Sequence, residues 1–417
     1  MSAGTLIVGA SQAGLQLAVS LRDAGHTEPI TLVGAEPHAP YQRPPLSKAY
    51  LHGSTELEQL WLRAPEFLTG QGITLVTGER IEAVELFSGG PSGSARTADG
   101  RVISFDRLAL TVGARPRRLT VPGANLDGVT YLRSADDAAA LRGLQSEAES
   151  VVVIGGGFIG LEAAAVARKQ GKSVTVVEAA DRLIGRAVAP VVSDFYRDAH
   201  VRRGVDIRLG AQVVSLGGEH NRVRAVQLSD GSRIPADLVI VGIGVEPCTE
   251  LARQLDLESA GGIVVDRYAR TSNPTVVAAG DCTVQPHPLT GEGRVRLESV
   301  QNAISQAKTA AATLAGLRVP NDAVPWFWSD QYDLKLQIAG LSAGHDQYVI
   351  RGDITGEAFS VLYYRDGTLL AVDAVNTPAD YMAVRKALSQ GAMISPDAAA
   401  DSTVALRELI VAQAVGA

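Results

Sequence analysis

Two stretches of the chain repeat one pattern of apolar and polar positions. TLIVGASQAGLQLAVSLRDAGHTEPITLVGAE (5–36) and SVVVIGGGFIGLEAAAVARKQGKSVTVVEAA (150–180) each begin with a short, unbroken apolar run. A glycine turn follows, then a helix of small residues ending near Gly25 or Gly171, then a second apolar run with an acid. The pattern predicts strand, turn, helix, strand: a βαβ unit of the length expected for a dinucleotide-binding half. Between the two copies lies a polar, strand-rich segment broken at SGGPSGS (88–94). After the second copy, the alternating stretch RVRAVQLSDGSRIPADLVIVGIG (222–244) ends in a buried strand, and VVAAGDC, ending at Cys282, forms another. From about Pro325 aromatics rise; 357–376 reads as a hairpin through Asp366 and Gly367, and 378–391 as a helix, so the tail is expected to be a separate α+β domain.

The glycine turns carry the chemistry. The first is Gly9-x-Ser11-x-x-Gly14, with serine in the middle place and Glu36 ending the next strand; the second, Gly155-x-Gly157-x-x-Gly160, is complete and followed by Glu178. A turn that opens a helix presents unpaired N–H groups to an anion, and a carboxylate at the end of the following strand accepts hydrogen bonds from a ribose. That carboxylate also repels the extra phosphate of NADP, so NADH is favoured at the second turn, with Arg182 and Arg186 nearby opposing the preference. Two such units suggest two dinucleotides; a flavin and a nicotinamide together give hydride transfer. One feature is out of place: Glu162 puts a carboxylate in the early turns of a helix whose N-terminus suits anions.

Composition narrows the setting. The chain has 417 residues, enough for two or three domains, with 46% hydrophobic and 20% charged residues. A net charge of −7 speaks against nucleic-acid binding as the main task, although a local basic patch stays open. Cys248 and Cys282 form no CxxC pair, which fits a reducing compartment and excludes a local dithiol relay. The first residues read as a strand without a targeting signal, and no apolar run reaches the length of a membrane span, so a cytoplasmic protein without membrane partners is expected. Cys282 reads as a small buried residue, and His287 and His345 show no ligand spacing, so no metal is expected.

YQRPPLSKAYL (41–51), TVGARPRRL (111–119), GGGFIGLE (155–162), VVAAGDC, RLESVQNA (296–303) and WFWSDQY (326–332) occur in this order. In them the chain resembles the FAD-dependent NADH:ferredoxin reductases of oxygenase and cytochrome P450 systems, the putidaredoxin reductase type, over nearly its whole length. The resemblance implies two Rossmann-like dinucleotide-binding domains of the glutathione-reductase kind plus a C-terminal α+β domain. FAD would occupy 1–112 and 246–322, NADH 113–245, and 323–417 would cover the flavin. Gly9, Ser11, Gly14 and Glu36 would hold the ADP half of FAD, Arg43 and Lys48 would lie along the flavin, and Thr111, Gly113 and Ala114 would line the crossing between domains. Asp281 would bond the ribitol, and Val300, where many relatives have tryptophan, and Trp328 would sit near the isoalloxazine. Gly155, Gly157, Gly160, Glu178, Arg186 and Gly244 would hold NADH. Hydride would pass from nicotinamide to flavin, and electrons would leave singly to a [2Fe–2S] ferredoxin. Arg294, Arg296, Lys308 and Lys335 would offer that acidic partner a basic rim.

The resemblance also accounts for Glu162. In this family the lysine of PPLSK meets the glutamate of GxGxxGLE beside the flavin ring, so Lys48 would stabilise negative charge there while Glu162 holds the lysine in place. The alternative is a solvated Glu162 and a surface Lys48. Two rival functions stay open: an NADH oxidase or rubredoxin reductase on the same scaffold, and a flavin-containing signalling or nucleic-acid-binding protein.

Overall fold

The computed structural model describes residues 2–88 and 90–412; Gly89, within the expected break at 88–94, lies outside them. The chain packs into two compact units. The first comprises the segment through Gln42 with Leu57–Arg115 and Val245–Pro325; the second comprises Arg43–Glu56, Pro116–Gly244 and the segment from Trp326 onward.

At the centre of the first unit is a parallel sheet ordered Val276–Ala278, Arg107–Leu110, Thr5–Val8, Ile30–Val33, Ile73–Val76. Side chains alternate across a strand, and here both faces are covered. Ile7 packs with Leu17 and Leu21 of helix Gln12–Asp23 and with Ala307 and Ala310 of helix Val300–Leu314. Leu6 and Val8 point the other way, toward Val84, Ala95 and Phe105 of a three-stranded antiparallel sheet. Burial on both sides is why these strands read as unbroken apolar runs.

The second unit repeats the arrangement with strands ordered Asp206–Arg208, Ser173–Val177, Ser150–Ile154, Leu238–Val241, Val129–Tyr131, again parallel. The same unit holds the C-terminal antiparallel sheet, ordered Trp326–Gln331, Leu334–Gly340, Thr368–Val375, Ala358–Arg365, Gln347–Asp353. Its expected hairpin turns through Asp366 and Gly367, both at positive φ (49° and 72°). Helix Pro378–Gln390 covers one face, packing Tyr381, Val384 and Ala387 against Leu362, Val372 and Ala374. The fold class is therefore the expected one: two Rossmann-like sheets and a C-terminal α+β element. Among the described residues no helix is long and apolar enough to cross a membrane, and no cluster of His, Cys, Asp and Glu could hold a metal ion.

Gly160 shows how tightly the second turn is built. A Cβ there would lie 2.3 Å from the carbonyl oxygen of Gly155 and 3.1 Å from Val153 Cγ1. Gly160→Ala should cost about 2 kcal/mol of folding stability through that overlap. Gly143, exposed within helix Ala135–Glu147, has nothing within 4 Å of its missing Cβ, and Gly143→Ala should add up to about 1 kcal/mol by helix propensity. Melting curves of the two variants are expected to move in opposite directions.

Candidate active site

In the first unit the glycine turn closes around Thr111. The Thr111 hydroxyl donates to the carbonyls of Val8 (3.0 Å) and Gly9 (2.9 Å). A Cβ on Gly9 would lie 2.2 Å from Thr111 O, and one on Gly14 only 1.9 Å from Gly9 O, so strand end, turn and helix start touch through backbone. Ser11 is the N-cap of helix Gln12–Asp23, and its side chain makes no capping bond. Gly280, next to Asp281, lies against Ala13 in that helix. Glu36 accepts from the Tyr41 hydroxyl. Gly113 O accepts from Cys248 N (3.0 Å), and Ala114 is buried at the start of strand Ala114–Pro116. Val300, half-buried, is the first residue of its helix, which Ser299 caps through Asn302 N. Cys282 is buried, its thiol donating to Ala279 O, and burial pushes that thiol up to about 12, consistent with a packing role.

The second unit carries the complete turn. Gly155 and Gly160 meet in the same backbone contact, but a Cβ on Gly157 would meet nothing within 4 Å. The open side of the middle glycine, at the N-terminus of helix Phe158–Lys169 that no side chain caps, fits a pyrophosphate by both space and charge. Glu178 Oε2 accepts from Gly156 N (2.6 Å) and Oε1 from Ala180 N (2.8 Å), which fixes the carboxylate beside the turn. Arg186 reaches Gly244, whose Cβ would lie 3.3 Å from its Nη2. Arg182 is engaged elsewhere: its guanidinium bonds Val188 O, Gly185 O and Ser193 Oγ and holds its own loop.

Glu162 is not solvated. It is 4% exposed, and three donors converge on its carboxylate. Lys48 Nζ (2.8 Å) and Ser47 Oγ (2.5 Å) reach Oε2, while Ser329 Oγ (2.6 Å) reaches Oε1. Lys48 is itself 20% exposed and also donates to Pro44 O (3.3 Å). Segment 43–56 is anchored by Arg43 Nη1 on Arg133 O (2.7 Å) and by Arg142 stacked over the Tyr50 ring. The C-terminal strand meets the helix in register: Phe327 packs on Phe158 (ring centroids 4.6 Å apart), and two residues further on Ser329 meets Glu162. Two strand residues span about 6.6 Å and four helix residues about 6 Å, so the two pairs match along the contact. Trp328 points to the other strand face, half-buried beside Trp326 (5.8 Å). Ser47 and Ser329 were not singled out in the sequence; their signal was adjacency to Lys48 and to Trp328 within the PPLSK and WFWSDQY motifs.

Residues 4–307 match the family described as pyridine nucleotide-disulphide oxidoreductase. The chain belongs to that family. Residues 326–410 match a second family description, reductase C-terminal. The reductase is 46% identical to a rhodocoxin reductase of Rhodococcus erythropolis over 96% of this chain and 93% of the relative. Among solved structures it resembles the ferredoxin reductase for the CYP199A2 system of Rhodopseudomonas palustris (TM-score 0.94, 43% identity, 98% of this chain and 100% of that one). It equally resembles the covalent putidaredoxin reductase–putidaredoxin complex (TM-score 0.93, 40% identity, 97% of each chain). The family's cofactors are FAD and NAD(H), and the reductase is a flavoprotein oxidoreductase.

Proposed function

We propose that the reductase draws reducing equivalents from NADH through FAD and delivers them one at a time to a [2Fe–2S] ferredoxin that serves an oxygenase or cytochrome P450 in the cytoplasm. The observation that carries this reading is the ion pair between Lys48 and the buried Glu162, beside the second glycine turn. Bound FAD supplies the conversion from a two-electron hydride to single electrons. Gly9, Ser11, Gly14, Glu36, Arg43, Thr111, Gly113, Ala114, Asp281, Val300 and Trp328 would hold it, within 1–112 and 246–322 and under 323–417. Gly155, Gly157, Gly160, Glu178, Arg186 and Gly244 would hold NADH within 113–245. Lys48 would place its ammonium charge against the flavin ring, and Glu162 would fix that ammonium and offset its charge. With no CxxC, electrons have no thiol to travel through, so the acceptor must approach the flavin edge itself.

Glu178 supports the choice of NADH. Its carboxylate is pinned by two backbone N–H groups, and Arg182 is bonded to its own loop, so a fixed negative charge faces the ribose position with no offsetting cation from Arg182. NADH should have a higher kcat/KM than NADPH, and Glu178→Ala should narrow the gap. Equal constants in the unaltered protein would sink this assignment.

The basic rim is smaller than the four cations of the sequence reading. Arg294 pairs with Glu258 (2.8 Å) and Arg296 with Glu298 (2.7 Å), which cancels most of their outward field. Lys308 and Lys335 are exposed and form no ion pair among the described residues. Docking steered by these lysines should weaken as salt is added. Ferredoxin-dependent cytochrome c reduction is expected to fall with ionic strength while ferricyanide reduction holds steady, and Lys308→Glu should raise the KM for a [2Fe–2S] ferredoxin alone. Stimulation indifferent to salt and to this charge would remove the docking proposal and favour an oxidase.

A further inference from the structure

The contact between Ser329 and Glu162 is the end of a longer chain. Gln331 Nε2 donates to Ser329 Oγ (3.2 Å), and Gln331 Oε1 lies 2.8 Å from His200 Nε2. His200, Gln331 and Ser329 are each wholly buried. Alternation along strand Trp326–Gln331 places 327, 329 and 331 on one face, against helix Phe158–Lys169, while His200 comes from helix Pro190–Arg202.

The charge at one end fixes every proton along this chain. A carboxylate only accepts, so the single Ser329 hydrogen must point at Glu162. Ser329 Oγ must then accept from the Gln331 amide nitrogen, which turns the Gln331 oxygen toward His200. His200 must therefore carry its proton on Nε2. Its Nδ1 has no hydrogen-bond partner, so a proton placed there would be a buried, unsatisfied donor. Burial, reinforced by Arg203, independently holds the imidazole down to about 4, in the neutral form.

We propose that His200, Gln331 and Ser329 form one directed hydrogen-bond chain ending on Glu162 Oε1, which makes His200 a positioning residue for the Lys48–Glu162 couple. Hydrogen bonds aligned donor to acceptor polarise one another, so the chain holds the carboxylate more firmly than Ser329 alone would. It also fixes the free face of Glu162 while Lys48 and Ser47 occupy Oε2. The chain stands on the geometry alone; its effect on turnover rests on the reading that Lys48 faces the flavin.

The test has two separable parts. In the FAD-loaded protein labelled with ¹⁵N-histidine, the His200 signals, assigned by their loss in His200→Gln, should show Nε2 protonated and Nδ1 bare at neutral pH. Ser329→Ala removes the acceptor that orients the Gln331 amide, so the Nε2–H signal should shift as its bond to Gln331 Oε1 loosens, with the proton still on Nε2. A proton on Nδ1 in the unaltered protein, or His200 signals indifferent to Ser329→Ala, would overturn the chain whatever the enzyme's activity. In stopped flow, His200→Phe should slow flavin reduction by bound NADH by up to about tenfold, the upper scale of one ordinary hydrogen bond. His200→Gln, which can place an amide N–H at the Nε2 position, should restore most of the rate. The Ser329→Ala and His200→Phe effects should overlap rather than multiply when combined. Multiplying effects, or no rescue by glutamine, would reduce His200 to a packing role; correct tautomers with unaltered rates would instead remove Lys48 and Glu162 from the flavin face.

Discussion

A buried carboxylate is tolerated only when its charge is paired and its lone pairs are filled. Glu162 imposes that condition on three distant parts of the chain. The short 3-10 helix Pro44–Ser47 must bring Ser47 and the Lys48 that follows it, helix Phe158–Lys169 must present Glu162 one turn beyond the glycine cradle, and strand Trp326–Gln331 must turn Ser329 inward. Removing Lys48 alone would strand a buried anion, a loss of about 3–5 kcal/mol for such a pair. The carboxylate thus ties the PPLSK segment and the C-terminal sheet to the second dinucleotide-type helix within one unit.

The same condition resolves the oddity of a negative charge near a phosphate-binding helix start. Glu162 lies beyond the first turn, where the field of the helix N-terminus has faded, and the nearest full positive charge is an ammonium at 2.8 Å. The open side of the turn is at Gly157, and the acid bonded to the turn is Glu178, which accepts from Gly156 N. Two carboxylates on one βαβ unit therefore have different settings: Glu178 accepts from backbone N–H groups beside the turn, and Glu162 pairs with the lysine.

Much of this was legible in the sequence because it leaves a periodic or motif-bound trace. Strands buried on both faces appear as apolar runs, the two glycine turns appear as a repeat, and Lys48 and Glu162 each sit in a motif whose glycines or prolines fix the local backbone. The hydroxyl and amide partners left no such trace. Ser47, Ser329, Gln331 and His200 are polar residues, and contacts between segments far apart along the chain bury them. Charge was equally opaque: Arg294 and Arg296 read as free cations, yet each has an acid within reach that spacing alone did not show.

The proposed mechanism requires the Lys48–Glu162 couple to face the flavin. Glu162→Gln keeps the side chain's shape and its capacity to accept from Ser47 or Ser329, but leaves the Lys48 ammonium uncompensated. Spectroelectrochemical titration of the FAD-loaded variant measures the consequence directly. If Lys48 lies against the flavin, the midpoint potential of Glu162→Gln stands above that of the unaltered protein, because the added electrons meet a fuller positive charge. A potential equal to or below the unaltered value would contradict that placement.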